Sequence, residues 1–376
     1  MNPILERFIN RLIDQSTPEK PLWNIEAIKQ GKKPQWNYID GCMMTSLLSL
    51  YEATKDEKYV QFVKRFIDYY VDDNGHILGY NPTHYSTDDI CESRVLFDLY
   101  KFFHEEKYLK AIHQTYQQIK DHPRTIEGNF WHKKIYPHQV WLDGLFMAMP
   151  FYTKYERYFN NKRHYDDIKH QFNVVRKRMF DEKKKLYYHG YDALKSIFWA
   201  DPKTGLSQNF WLRAMGWYMV AIVDVYEDFD DPKERESFFK PLLKEMVDGL
   251  LMYQDKKTSL FYQVVDKGKE PGNYLETSGS ALISYAILKA VRYHMLPTSY
   301  QEKGLAIFHG ITQKYLHEID GKLNLGGICL VAGLGPKDNL RRDGSYAYYL
   351  SEPVVENDAK GVAPLIMAYT EVLKTI

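Results

Sequence analysis

The sequence predicts an all-α fold, an (α/α)6 barrel in which six buried helices form an inner ring and six surface helices surround it. Three observations carry that expectation. Helices apolar nearly all round alternate with helices that have a single apolar face. The alternation recurs at intervals of roughly 50 to 80 residues, longer than the usual solenoid repeats. The connections that lead into each buried helix are rich in Gly, Pro, Trp and His, as loops are when a rigid scaffold positions them for function.

An amphipathic helix opens the chain near residues 2 to 16. The first buried helix begins at Asp40-Gly41-Cys42 and runs through Met43, Met44, Leu47, Leu48 and Leu50. Asp56 opens its surface partner, whose apolar positions Tyr59, Phe62, Val63, Phe66, Ile67 and Tyr70 recur at three and four. Asp88-Asp89-Ile90-Cys91 starts a second buried helix running through Tyr100, and Glu106-Lys107 starts its charged partner. The third pair begins at Trp141-Leu142-Asp143 and Arg163-His164-Tyr165, the fourth at Phe210-Trp211-Leu212-Arg213 and Glu234-Arg235, and the fifth at Glu276-Thr277 and Tyr300-Gln301. A last buried helix, from Glu356-Asn357-Asp358 to about Leu373, has no charged helix after it. The opening helix supplies that partner, so the chain ends meet and the ring closes. With no low-complexity linker, residues 1–376 read as one domain.

Composition narrows the function. The chain has 376 residues, a formal net charge of +1 and 44% hydrophobic residues, enough for a large core. Its charges are interspersed rather than blocked, which excludes a basic nucleic-acid surface and an acidic tail. Aromatic residues make up 15%, with 31 Tyr and 7 Trp, and rings with polar edges suit a sugar. Three widely spaced cysteines, Cys42, Cys91 and Cys329, form neither a disulfide framework nor a zinc site and read as reduced thiols. The first residues mix charges into the apolar ones, unlike a secretory signal, and no stretch approaches a membrane span. Cytoplasmic residence is therefore expected. No metalloprotease, nucleophile-elbow, EF-hand or phosphate-loop motif occurs, so neither a metal nor a cofactor is expected. The stretches around Gly326-Gly327 and Gly333-Leu334-Gly335 read as a loop over the barrel mouth.

The chemistry is expected at the starts of the buried helices, which gather Asp40, Asp88, Asp143, Arg213, Glu276 and Asp358 around one mouth. An aspartate in a first helical turn is ordinarily a cap. Around Asp143, however, Trp131, His132, Tyr136, His138 and Trp141 crowd with planar and ionisable groups that a plain cap does not need. Asp88 and Asp143 are the first candidates for acid–base work, with Asp89 competing for the place of Asp88. A helix N-terminus favours the ionised carboxylate, whereas desolvation by Trp141 and Trp217 and the like charge of Asp88 favour the protonated one. For an acid working near neutral pH, the second set must prevail. His132, His138 and His189 lie in the same class of connection, and Arg213 has the shape to hold a carboxylate at two points, which suggests an acidic sugar. Trp211 and Trp217, six apart, fall on different helix faces and are not both expected in the core.

Five motifs, in order, resemble glycoside hydrolase family 105, the unsaturated rhamnogalacturonyl hydrolases. They are Gly128-Asn129-Phe130-Trp131-His132-Lys133, Val140-Trp141-Leu142-Asp143-Gly144-Leu145, Phe210-Trp211-Leu212-Arg213-Ala214-Met215-Gly216-Trp217-Tyr218, Leu275-Glu276-Thr277-Ser278-Gly279-Ser280 and Tyr349-Leu350-Ser351-Glu352-Pro353-Val354-Val355-Glu356-Asn357-Asp358. The resemblance implies an (α/α)6 barrel that hydrates the C4=C5 enol ether of an unsaturated uronyl residue at the end of a small oligosaccharide. By the same resemblance Asp143 is the acid and then the base, and Asp88 binds sugar hydroxyls and tunes it. Asp40, Gly41, His132, Lys133, Tyr136 and Trp141 are expected to bind substrate, as are His189, Trp211, Arg213, Trp217, Gly333 and Ser345. Lys133-Lys134 and the Pro82–Ser86 loop fall outside the family pattern. Two other readings fit the same toroid, an unsaturated glucuronyl hydrolase of another polysaccharide and a sugar 2-epimerase-like protein.

Overall fold

A computed structural model describes residues 3–375. Helices α1 (Pro3–Asp14) and α2 (Ile25–Gln30) precede the first pair, α3 (Tyr38–Thr54) and α4 (Glu57–Tyr70). Two shorter helices, α5 (Thr87–Glu92) and α6 (Val95–Phe103), occupy the place of the second buried helix and are followed by α7 (Glu106–Asp121). The next pairs are α8 (Leu142–Phe159) with α9 (Tyr165–Met179), α10 (Leu212–Asp228) with α11 (Pro232–Leu251), and α12 (Thr277–Arg292) with α13 (Gln301–Tyr315). A short α14 (Tyr346–Ser351) lies in the last connection, before α15 (Ala359–Lys374).

The inner ring closes as expected: α3 packs on α5, α5 on α8, α8 on α10, α10 on α12, α12 on α15 and α15 back on α3. The fold is an (α/α)6 barrel. Boundaries differ in detail. The opening helix ends at Asp14, and its expected start at residue 2 lies outside the described residues. The second inner helix is interrupted because Ser93, Arg94 and Leu96 donate to carbonyls three residues back, a 3₁₀ twist between α5 and α6.

The connections also contain strands that the sequence reading did not foresee. These are β1 (Gln139–Trp141), β2 (Phe180–Asp181), β3 (Leu186–Tyr187), β4 (Gly190–Asp192), β5 (Leu316–Ile319), β6 (Lys322–Leu325), β7 (Ile328–Cys329) and β8 (Val354–Val355). They pair antiparallel as β1–β4, β2–β3, β5–β6 and β7–β8. Ribbons of two to four residues are too short to show an alternating pattern in sequence.

A single device recurs at five of the inner-helix starts, α3 beginning instead on its Asn37 cap. The first N–H groups of a helix have no partner within it and need one from outside. Here Thr87 N–H donates to His132 O, Leu142 N–H to His189 O, Leu212 N–H to Gln263 O, Thr277 N–H to Gly327 O and Ala359 N–H to Trp23 O. Each acceptor belongs to the connection entering the next inner helix around the ring, so neighbouring loops terminate one another's helices. Side-chain caps are absent from α5, α8 and α10, whereas α12 and α15 add Glu276 and Asp358.

The core lies between and around the inner helices. Every residue of α10 from Leu212 to Tyr226 is buried, Asp224 included. That carboxylate is satisfied by Arg94, Lys289 and the Tyr285 hydroxyl, as a buried charge must be. Close helix approach requires Gly279, where a Cβ would lie 2.4 Å from Leu212 Cγ. Among the described residues no helix is long and apolar enough to cross a membrane.

Candidate active site

Asp143 is the second residue of α8, a helix already terminated by His189 O, and its carboxylate accepts no N–H from that helix. It is not a cap. Its side chain is 11% exposed, and Oδ2 stands 3.2 Å from His189 Nε2. The two atoms lie off the hydrogen-bonding direction, and neither has another hydrogen-bond partner among the described residues. The β1–β4 ribbon brings them together, since Trp141 pairs with Gly190 next to His189. Trp141 forms the adjoining wall, stacked on His132 at 4.3 Å and set against Tyr136 at 4.7 Å and His189 at 5.4 Å.

Asp88 holds the matching second position of α5. It is paired with Lys133 and lies 3.8 Å from His132 Nε2, so it, rather than Asp89, belongs to the site. Asp89 is pushed up to about 7 by burial and by the neighbouring Asp88 charge. Lys133 stays charged because Asp88 outweighs the desolvation that pulls it down. Burial drives His132 well below the usual imidazole range, and the ring is neutral. Thr87 donates its hydroxyl to His132 O at 2.9 Å, so its oxygen accepts from His132 Nδ1 at 3.1 Å. Lys133 offsets the Asp88 charge, so Asp88 does not face Asp143 as the unbalanced like charge that the sequence suggested.

Arg213, second in α10, is fully buried and forms no ion pair with any described carboxylate. It donates to Ser278 Oγ at 3.2 Å and Cys329 O at 2.5 Å and lies over the Trp211 ring at 4.9 Å. A buried guanidinium held by neutral oxygens keeps its charge available to an incoming anion. Trp211 and Trp217 are each 1% exposed, a correction to the expectation that they would not both be core. Trp211 is oriented by Gln263 Oε1, whereas Trp217 stacks on Phe146 at 4.4 Å and meets the Tyr38 edge.

Three of the gathered helix-start residues, and Gly41 beside one of them, do not join this constellation. Asp40 is fully buried and accepts from Trp23 Nε1 at 2.7 Å and Asn24 Nδ2 at 3.4 Å. It is the third helical residue rather than the second, which turns it about 100° away from the direction taken by Asp88, Asp143 and Arg213. Gly41 is a packing glycine, since a Cβ there would come 2.6 Å from Glu92 Cα. Both were expected to bind substrate, and both belong to the barrel wall. Glu276 and Asp358 are buried caps of α12 and α15. In the late loop, Gly333 lies against Trp141 and donates to the Tyr348 hydroxyl, and Leu334 packs with Tyr136, Trp141 and Trp199. Ser345 caps α14 by accepting from Tyr348 N–H, which engages its hydroxyl.

The sequence reading passed over two tyrosines. Tyr349 binds His189 Nδ1 through its hydroxyl at 2.7 Å. The Tyr38 hydroxyl is pushed well up by burial and by Glu26 and Asp88, with Arg213 pulling the other way, and its ring sets an edge against Trp217. Tyr349 stood within a quoted motif, but nothing distinguishes one tyrosine from 31 until the fold places it.

Comparison with known proteins agrees with this architecture. The model for Glycosyl Hydrolase Family 88 matches residues 6–376. A solved family 105 glycoside hydrolase from C. acetobutylicum ATCC 824 is 40% identical, with a TM-score of 0.90 over 100% of this chain and 99% of that one. Protein Atu3128 of Agrobacterium fabrum is 36% identical over 60% of this chain and 98% of its own length. The unsaturated rhamnogalacturonyl hydrolase YesR of Bacillus subtilis is 25% identical over 72% of this chain and 74% of its own. With one family model spanning nearly all of it and a 40% identical relative along its full length, the chain belongs to the glycoside hydrolases of family 88/105.

Proposed function

We propose that this glycoside hydrolase releases an unsaturated, 4,5-dehydro galacturonyl residue from rhamnogalacturonan-derived disaccharides, as one catalytic domain over residues 1–376 working in the cytoplasm. The observation that carries the reading is the uncommitted Asp143 carboxyl, facing His189 in an aromatic enclosure whose arginine, Arg213, forms no direct ion pair among the described residues. The similarity to YesR supports the galacturonyl substrate.

In this mechanism Arg213 receives the uronate carboxylate, which is attached to C5. Asp143 gives its proton to C4, and positive charge develops at C5 and the ring oxygen. Water adds at C5 while the Asp143 carboxylate accepts its proton. The resulting hemiketal opens, the anomeric carbon becomes a hemiacetal, and rhamnose leaves beside an open-chain keto sugar. Asp88, tied to Lys133, and His132 hold hydroxyls of the same ring.

Purified unsaturated galacturonyl-rhamnose and unsaturated glucuronyl disaccharides, each followed by loss of enol-ether absorbance, test the reading. Turnover of the first is expected. Turnover of the glucuronyl substrate alone overturns the pectin assignment, and isomerisation of a saturated sugar with no loss of absorbance overturns the hydration chemistry.

A further inference from the structure

We propose that Tyr349, acting through His189, fixes which oxygen of Asp143 carries the catalytic proton. The inference rests on the role of Asp143 proposed above and adds a positioning residue to it.

Tyr349 is fully buried, and among the described residues its hydroxyl hydrogen-bonds only to His189 Nδ1, at 2.7 Å. A buried hydroxyl that donates to nothing costs about 1–3 kcal/mol, so this one donates to Nδ1. Nδ1 is thereby the acceptor nitrogen of a neutral ring, and the imidazole proton resides on Nε2. Nε2–H is directed to the side of Asp143 Oδ2, 3.2 Å away. Oδ2 is the buried oxygen of that carboxyl, which leaves Oδ1 to face the mouth. A second proton on Oδ2 would face Nε2–H across 3.2 Å, donor against donor, so the carboxyl proton belongs on Oδ1, where it meets substrate.

The proton inventory then balances without ionising the histidine. Oδ1–H passes to C4, the new carboxylate is held at Oδ2 by Nε2–H, and a proton of the adding water returns to Oδ1. The other ionisable groups facing the three are the neutral His132, the Asp88–Lys133 ion pair it touches and Arg213 beyond Trp211, with Tyr348, Asp343 and Cys329 on the Tyr349 side. Without the tyrosine hydroxyl the opposite tautomer becomes accessible. Nδ1 takes the proton, bare Nε2 accepts from Oδ2–H, and the acid is stabilised in its protonated form with the hydrogen on the wrong oxygen.

Tyr349→Phe removes the hydroxyl and little else. We expect kcat to fall about 10- to 100-fold, within the range general acid–base groups supply, with KM changed less than about threefold. The alkaline limb of the kcat profile should move to higher pH. An unchanged kcat, or a loss of kcat with that limb in place, overturns the proposal, because a merely structural tyrosine would not move it. Nitrogen-15 spectra of the wild-type protein supply a readout that needs no substrate and does not depend on Tyr349→Phe folding, the His189 signals being identified by their loss in His189→Gln. Protonated Nε2 and bare Nδ1 are expected; a protonated Nδ1 overturns the assignment. A wild-type enzyme inactive on every unsaturated disaccharide but showing the expected tautomer would refute the functional reading and leave the Tyr349–His189 pairing standing.

Discussion

Asp143→Ala and Glu276→Ala separate an acid that does chemistry from an acid that ends a helix. Glu276 accepts from Ser278 N–H at 3.0 Å, Ser278 Oγ at 2.7 Å, Gly279 N–H at 2.7 Å and Cys329 N–H at 3.0 Å, all buried. Truncation leaves three buried N–H groups unpaired at about 1–3 kcal/mol each, so a loss of at least about 3 kcal/mol is expected even at the low end. Asp143 is the second residue of its helix rather than the one before the first, and it accepts nothing from that helix. Its truncation should change stability by no more than about 0.5 kcal/mol while lowering kcat at least about 100-fold. Urea unfolding followed by circular dichroism gives the stabilities, and loss of enol-ether absorbance gives the activity. Equal destabilisation by the two substitutions, or a nearly silent Glu276→Ala, would show that the assignment of caps is wrong.

Two further expectations follow from the same geometry. Asp40 is pushed up to about 7 by burial, so the native state holds its proton more tightly than the unfolded chain does. Its stabilising effect is complete below the ordinary carboxylate range and is lost as pH rises through about 7. Asp40→Asn, which keeps an acceptor for Trp23 Nε1, should flatten the fall in urea midpoint between pH 5 and pH 8; a slope identical to wild type would refute this. Arg213→Lys keeps the charge but loses the fork that reaches Ser278 Oγ and Cys329 O and the face laid on Trp211. We expect kcat/KM to drop about 100-fold, since about 3 kcal/mol of charge-assisted contact is withdrawn from the anion's partner. A change below about threefold would show that Arg213 serves packing alone.

Periodicity made the barrel legible because all-round burial and one-sided burial leave different marks, as α10 and α4 do. It placed helix starts within a few residues, and that residual error mattered for function. A shift of one position separates Asp88, Asp143 and Arg213, which converge, from Asp40, which turns into the wall beside Trp23. Glu276 and Asp358 were grouped with Asp143 at the mouth, yet both are caps, for a related reason. Composition cannot reveal that Asp143 is the second residue of its helix whereas Glu276 and Asp358 precede the first of theirs, nor that Leu142 N–H finds its partner 47 residues away on a backbone carbonyl. Ribbons such as β1–β4 were invisible because their register is set by the barrel, not by their own residues. Trp217 shows the converse: a residue on the expected part of the chain that packs on Phe146 more closely than its helical spacing suggested.

Mutual termination of neighbouring loops has an evolutionary corollary. Each connection must preserve the one carbonyl that its neighbour depends on, at His132, His189, Gln263, Gly327 or Trp23, whatever else in it changes. In the longest connection that obligation is discharged at Gly327, before the segment 330–344 that lies over Trp141 begins. Those later residues can be exchanged, lengthened or shortened without loosening any α-helix, so divergence in the sugars accepted by relatives should accumulate there while the five carbonyl positions keep their spacing from the following helix.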